Sequence, residues 1–332
     1  MQGVQSGTLP MKCGEDFMMN TDMKRMFELI AQLNQYRYEF YELYKLPPTV
    51  SNEEYDKLMQ ELGALQTKLC VYMSNSPAIC SRYRTAEVLK KGQHPKPIPM
   101  AAPAGNLQML MDFQMQKQLM LMPKMISVPV KITYFDAQLQ ELSTCGDGAE
   151  GYDITHNAYS ISGIPCIFNR KETIVVLGEV FVTPKDFEDL TQTLFHRFKN
   201  PYTDIYDFIY DAVHLKDSRL CSKCKLQFVA TDVLKGLDEF STKSQKLAQL
   251  TQYGFTVLHY LVTNRPLTQP QMEYGINQLQ AECLQNGLPF EGVTLQYNDA
   301  AFSAQCGTPG HPGPDRIVWL CDNSVSNNQK AA

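Results

Sequence analysis

The sequence predicts an α+β protein built on mostly antiparallel sheets, with a small helical hairpin at its N-terminal end. Three observations lead there. From Thr21 to Leu65, apolar residues recur at three- and four-residue spacing. A proline-rich stretch, HPKPIPMAAPAG (His94 to Gly105), ends that regime. Beyond it, apolar residues alternate with period two in several short runs, and helical spacing returns only between them.

Each element follows in order. Residues 1–20 and 323–332 are polar and aperiodic and read as tails. Met23, Met26, Phe27, Ile30, Leu33, Phe40 and Leu43 share one face of a long helix, which Pro47-Pro48 ends. Ser51-Asn-Glu-Glu54 reads as a capping box opening a second helix with Tyr55, Leu58, Leu62 and Leu65 on one side. This hairpin subdomain, residues 21–84, is too small for much of a core and should dock on something else. Residues 85–104 read as a linker. A short Met-rich helix is expected around Leu107–Leu121.

MISVPVKITY then places Ile126, Val128, Val130, Ile132 and Tyr134 on one face of a strand. A turn at Phe135-Asp-Ala137 leads to a strand at Leu139–Thr144. Further strands are expected at Thr173–Val182, Leu226–Ala230, Val293–Tyr297 and Ile317–Leu320. Helices are expected at Pro184–Arg197, Thr242–Tyr253 and Thr268–Asn286. Residues 105–322 thus read as one α+β domain.

Composition narrows the function classes. A net charge of −5 and a pI near 5.7 give a nucleic acid no bulk attraction. The densest basic run, Arg82 to Lys96, is interrupted by Glu87 and reads as a solvated linker. No apolar run is long enough to span a bilayer, and MQGVQSGTLP lacks the layout of a signal peptide. A cytoplasmic location is therefore expected, with the ten cysteines mostly reduced. Cys221 and Cys224 have metal-ligand spacing, but Cys306, His311 and Cys321 would have to complete the set, so zinc is not expected. The sixteen methionines read as soft core filler.

TCGDGAEGYDITHN (Thr144 to Asn157) directly follows a predicted strand. Gly and Asp in such a place form turns for backbone reasons alone. The flanks add more. This stretch resembles the T-R-G-D-G-x-x-G-E-D-V-T-x-N pattern of NAD-dependent DNA ligases, in register and without a gap. SISGIP (Ser160 to Pro165) and LGEVFVTPKDFEDL (Leu177 to Leu190) are similar to the T-I-x-x-I-P and R-G-E-V-F stretches of that family. PPTVSNEEYDKLMQELGALQ (Pro47 to Gln66) resembles the signature of its helical NMN-binding subdomain. The likeness covers roughly residues 25–322. It implies a nucleotidyltransferase fold of the ATP-grasp-like ligase adenylation type behind the hairpin.

The resemblance also implies roles. MPKMIS (Met122 to Ser127) falls on the nucleophile motif E-P-K-x-D-G, so Lys124 would accept AMP from NAD through a phosphoramidate and release NMN. Such an amine must be neutral when it attacks. Lys131, the rival lysine, should face the other side of its strand. Glu179 would support metal or ribose. Tyr55 and Asp56, with Gly146, Asp147, Gly148 and Glu291, fall on cofactor-binding positions. Mg²⁺ would be needed only by an active enzyme.

The same alignment shows departures. Ile126 and Ser127 replace the Asp-Gly after the lysine, and Met122 replaces the Glu before it. Cys145 stands for Arg, Tyr152 for Glu, Tyr202 and Tyr210 for two arginines. Glu291 stands for Asp, Gln296 for the phosphate-binding Lys, and IVWLC (Ile317 to Cys321) carries no Lys. AAPAG (Ala101 to Gly105) occupies the adenine-contacting S-L-D stretch, and Asn52 and Glu42-Leu43 erode the NMN end. Losing one preorganised electrostatic contact costs about 2.7–4 kcal/mol of transition-state stabilisation, so transfer is expected to be impaired. Tyr202, Tyr206, Phe208 and Tyr210 are expected to fill the emptied pocket rather than form an exposed partner surface. The OB-fold, zinc-finger, helix-hairpin-helix and BRCT modules that encircle nicked DNA do not follow, so weak DNA binding and a protein partner in DNA metabolism are expected.

Overall fold

The computed structural model describes residues 11–13, 20–41, 49–78, 84–114, 117–193, 202–306 and 312–321. The N-terminal elements are β1 (Met11–Cys13), α1 (Thr21–Tyr41), α2 (Asn52–Leu69) and β2 (Tyr72–Met73). There follow β3 (Lys91–Gln93), β4 (Met100–Ala104), α3 (Leu107–Phe113), β5 (Leu119–Met125), β6 (Val128–Phe135), β7 (Gln138–Thr144) and β8 (Glu150–Tyr152). Next come β9 (Pro165–Ile167), β10 (Ile174–Phe181), α4 (Pro184–Thr193), α5 (Ile205–Val213), α6 (Ser218–Lys223) and β11 (Gln227–Lys235). The chain continues through α7 (Lys243–Gln252), β12 (Leu261–Thr263), α8 (Gln269–Gln285), β13 (Phe290–Tyr297), α9 (Ala300–Gln305) and β14 (Pro312–Leu320).

The architecture is α+β, with two six-stranded sheets ordered β1-β12-β5-β13-β14-β4 and β11-β10-β6-β7-β9-β2. Their pairings are antiparallel except for β14 with β4. The predicted alternation holds in β6, where Val128, Val130, Ile132 and Tyr134 are buried.

The strand does not run through from Ile126, however. The chain breaks pairing at Ile126-Ser127, where Ile126 N donates to Pro289 O at 2.8 Å, and β5 and β6 belong to different sheets. Lys124 and Lys131 therefore lie on different strands, and Lys131 pairs with Glu141 at 3.1 Å. The Met-rich helix ends at Phe113 rather than Leu121. Leu119–Met125 is a strand between β12 and β13. A short, continuously apolar run buried on both faces suits helix and strand equally, which is why spacing misread it.

The stretch read as a linker contributes β3 and β4, and β4 takes the sheet edge, where a strand tolerates its one proline, Pro103. Within the stretch read as a tail, β1 pairs with β12. Pro47-Pro48 lies outside the described residues.

The hairpin forms as its sequence dictates. Ser51 Oγ accepts from Glu54 N at 3.2 Å and starts α2, and Cys70 ends it in the left-handed region at φ 52°. Met23, Met26, Leu29, Ile30, Leu33 and Leu62 belong to the same apolar core as β6 and β10. Asn34 Nδ2 also donates to Asn75 O at 2.8 Å. A second core fills the space between the other sheet and α8, through Leu121, Met272, Ile276, Leu279, Val293 and Leu295. The two sheets face each other across a cleft, and the candidate site lies there.

Candidate active site

Lys124 is the one partly exposed residue of β5, directly opposite Gly292 of β13. Its neighbours on either side are buried, and Lys124 lines a cavity of about 220 Å³ between the sheets. Nζ lies 3.3 Å from Glu179 Oε1 and 3.5 Å from Glu291 Oε2. It also donates to Ser127 Oγ at 3.1 Å and to Met125 O. Glu179 arrives on β10 of the opposite sheet, opposite Pro129. Its other oxygen, Oε2, is buried with no partner among the described residues. A buried acceptor left open costs free energy unless a donor reaches it.

The Gly-Asp-Gly stretch is the turn that shapes one wall. Gly146 and Gly148 sit at φ +55° and +89°, where a side chain is strained. A Cβ on Gly146 would lie 1.9 Å from Glu150 O, and one on Gly148 would lie 2.7 Å from Ile98 O. Asp147 Oδ1 accepts from Ala149 N and Glu150 N, both at 2.9 Å, and those bonds hold its exposed carboxyl below the usual range. Gly148 O accepts from Ile98 N at 2.9 Å, which brings Ile98 and Met100 to the cavity. Cys145 lines the same wall, and burial pushes its thiol up to about 12, so it stays neutral. Asp153 and Asn157 are likewise occupied by backbone: Asp153 Oδ1 caps Thr155 N, and Asn157 Nδ2 donates to Val213 O and Leu215 O.

The far end of the cavity carries a buried charge cluster that sequence reasoning missed. Lys243 Nζ lies 3.0 Å from Asp232 Oδ2 and 3.2 Å from Asp315 Oδ2. Arg316 Nη2 lies 2.9 Å from each of the same two carboxylates. Gln296 Oε1 accepts from Lys243 Nζ at 2.8 Å. Burial pushes the Lys243 ammonium below its ordinary value, Arg316 adds repulsion, and the two aspartates work against both. Arg316 and Gln296 line the cavity. No sequence signal joined these residues, which come from β11, α7, β13 and β14.

Comparison with known families decides what this arrangement is. Residues 104–312, more than half of the chain, match the model of the NAD-dependent DNA ligase adenylation domain. The chain belongs to that family. Residues 19–78 match the DNA ligase-like, N-terminal NAD+-binding domain. The DNA ligase of Ruminiclostridium cellulolyticum is 24% identical over 275 residues, covering 81% of this chain and 41% of that protein. That of Staphylococcus saprophyticus is 30% identical over 241 residues, covering 70% of this chain and 36% of that protein. The chain thus spans less than half the length of these relatives. Among solved structures, a mycobacterial DNA ligase D complexed with ATP and MES overlays at TM-score 0.38 with 13% identity, covering 68% of this chain and 60% of that one. An overlay that loose assigns no residue.

The adenylation domain brings Lys124, Glu179 and Glu291 together and sets Gly146, Asp147 and Gly148 behind them. Tyr55 and Asp56 stay on α2, Tyr55 against the apolar core and Asp56 exposed, and neither lines the cavity. The tyrosines expected to fill the pocket do not. Tyr206 and Tyr210 are 44% and 43% exposed on α5, Phe208 is buried in the core, and Tyr202 donates to Asp211. None of the four lines the cavity. Cys221 and Cys224 are buried around α6, where burial pushes both thiols up. Among the described residues no three His, Cys, Asp or Glu side chains gather as metal ligands do. His311 and Glu42-Leu43 lie outside the described residues. No described helix is long and apolar enough to cross a membrane.

Fit to NAD divides along the molecule. A cavity of about 220 Å³ is smaller than the ~300–1,000 Å³ of sites that bury a whole drug-sized ligand, so a dinucleotide would reach beyond it. The open Glu179 Oε2 suits a ribose hydroxyl. The phosphates find less, because among the described residues the two cations lining the cavity, Lys124 and Arg316, already face two carboxylates each.

Proposed function

We propose that this adenylation domain binds the adenosine end of NAD, or a related adenine nucleotide, and transfers AMP to Lys124 slowly or not at all. The observation that carries the reading is the pairing of each cavity cation with two carboxylates. A phosphoryl group in flight needs positive charge aimed at it, already organised and not yet spent. Here Lys124 faces Glu179 and Glu291, Arg316 faces Asp232 and Asp315, and Cys145 and Gln296 are neutral.

Within that reading Lys124 orients rather than attacks, Glu179 accepts from ribose, and the Gly-Asp-Gly turn shapes the wall. NAD would supply the adenylate, and Mg²⁺ would matter only if transfer occurs. The relatives are DNA ligases, so the setting we propose is DNA metabolism, with a protein partner supplying contacts to the strand. The competing reading is an active adenylyltransferase using Lys124 as nucleophile, and it is favoured by Lys124 lining the cavity with its amine beside Glu179.

Intact-protein mass sampled within the first few seconds after mixing with NAD and Mg²⁺ separates the two. The proposal expects thermal stabilisation by NAD with an AMP adduct on only a small minority of molecules. A stoichiometric adduct that disappears in Lys124→Ala would establish the competing reading instead.

A further inference from the structure

Gln296 has only one way to sit. Its neighbour on one side is the Lys243 ammonium, a group that only donates, so the amide must offer it Oε1. The amide nitrogen then points the other way, and Nε2 donates to Met122 Sδ at 3.1 Å. Met122 and Gln296 both line the cavity. A thioether is a weak acceptor, so this N–H is a strong donor spent on a poor partner. Lys243 itself is 2% exposed and does not line the cavity. Its charge, together with that of Arg316, is balanced by Asp232 and Asp315, so the cluster presents no net charge to its surroundings.

We propose that Lys243 is the positioning residue of this cavity: by engaging Oε1 of Gln296 it turns the amide N–H inward, so the cavity selects an uncharged, acceptor-bearing nucleoside face and is indifferent to its phosphate. A ring nitrogen or ribose oxygen displaces the Met122 thioether from Nε2 and gains a full hydrogen bond. A phosphate oxygen finds no unbalanced charge behind that N–H, because the ammonium one bond further back is matched by its own aspartates.

The idea rests on the nucleotide-binding reading above, so its test has an arm that needs no ligand. Lys243→Gln leaves one buried aspartate charge unbalanced, Gln296→Lys adds one buried cation, and the double variant exchanges the two groups and restores neutrality. Each single variant is expected to lose about 6 °C or more in Tm, and the double variant to recover most of that loss. Additive losses would overturn the coupling between the two side chains.

The ligand arm titrates adenosine and AMP by calorimetry. The unaltered chain is expected to bind them within about threefold of each other. Gln296→Glu, which keeps the bond to Lys243 and removes the N–H, is expected to lose adenosine about fivefold or more while staying folded. The exchanged double variant is expected to prefer AMP over adenosine by about tenfold. Preference for AMP of that size in the unaltered chain would overturn the proposal, as would unchanged adenosine binding in Gln296→Glu. Binding of neither compound by the unaltered chain would overturn both the selectivity and the nucleotide-binding reading, leaving the Tm cycle to decide the coupling alone.

Discussion

Asp315 shows how the site's electrostatics bear on stability. Burial pushes its carboxyl up, but Arg316 and Lys243 beside it more than offset that and hold it down to about 2. Asp232 is held low by the same two cations against its own burial. A carboxyl whose folded value is depressed contributes stability that is present above its unfolded value and lost as pH falls through the folded one. Chemical denaturation is therefore expected to give a flat midpoint from about pH 7 to about 5 and a fall from about pH 4 towards 2. Asp315→Asn should lower the midpoint near neutrality and flatten part of that fall; an unchanged acid limb would contradict the assignment. At this scale the sequence was half legible. Lys124, Glu179 and Glu291 follow from motif resemblance because each sits on a strand with its neighbours in register. The Lys243 cluster does not, because Asp232, Lys243, Gln296 and Asp315 meet only through tertiary packing, and a buried lysine in the first turn of a helix defies the usual preference.

Turns and faces carry the argument at the scale of elements. The turn after β7 was readable as a turn from its glycines alone, and the structure shows why they are required. Gly146→Ala is expected to cost roughly 1–3 kcal/mol, read by Tm, since the new Cβ meets backbone and the φ is left-handed. Helix α5 was not readable: its aromatic run looked like pocket filling, yet Phe208 is the one aromatic that turns inward, with Ile209, Ala212 and Val213, while Tyr206, Asp207, Tyr210 and Asp211 form the outer stripe. Phe208→Ala should therefore destabilise by about 3–5 kcal/mol, and Tyr206→Ala should stay within about 0.5 kcal/mol. Equal losses in denaturant midpoint would contradict that orientation. Strand β5 was misread for a related reason. A run apolar on both faces has no period, and only its two sheet neighbours settle its conformation.

Over the whole molecule, the hairpin shares a core with the sheet of β6 and β10, so a defect in α1 should reach Glu179 on β10 through packing. Leu29→Ala is expected to lower global stability by about 2–5 kcal/mol in a single transition. A separate early transition for the hairpin would contradict the shared core. The α+β class, the helical hairpin and its docking were legible from periodicity and capping. The cleft between the sheets was not, since it depends on β5 and β6 parting at Ile126-Ser127. The central claim is that an adenine-nucleotide scaffold retains its nucleoside cavity while, among the described residues, Lys124 and Arg316, the cations that line it, are already matched by carboxylates. Rapid-quench measurement of AMP transfer from adenylate-labelled NAD to Lys124, under single-turnover conditions with Mg²⁺, tests it most directly. The account predicts a rate at least about a hundredfold below the ~1 s⁻¹ floor of ordinary enzymes; complete adduct formation within seconds, abolished in Lys124→Ala, would contradict it.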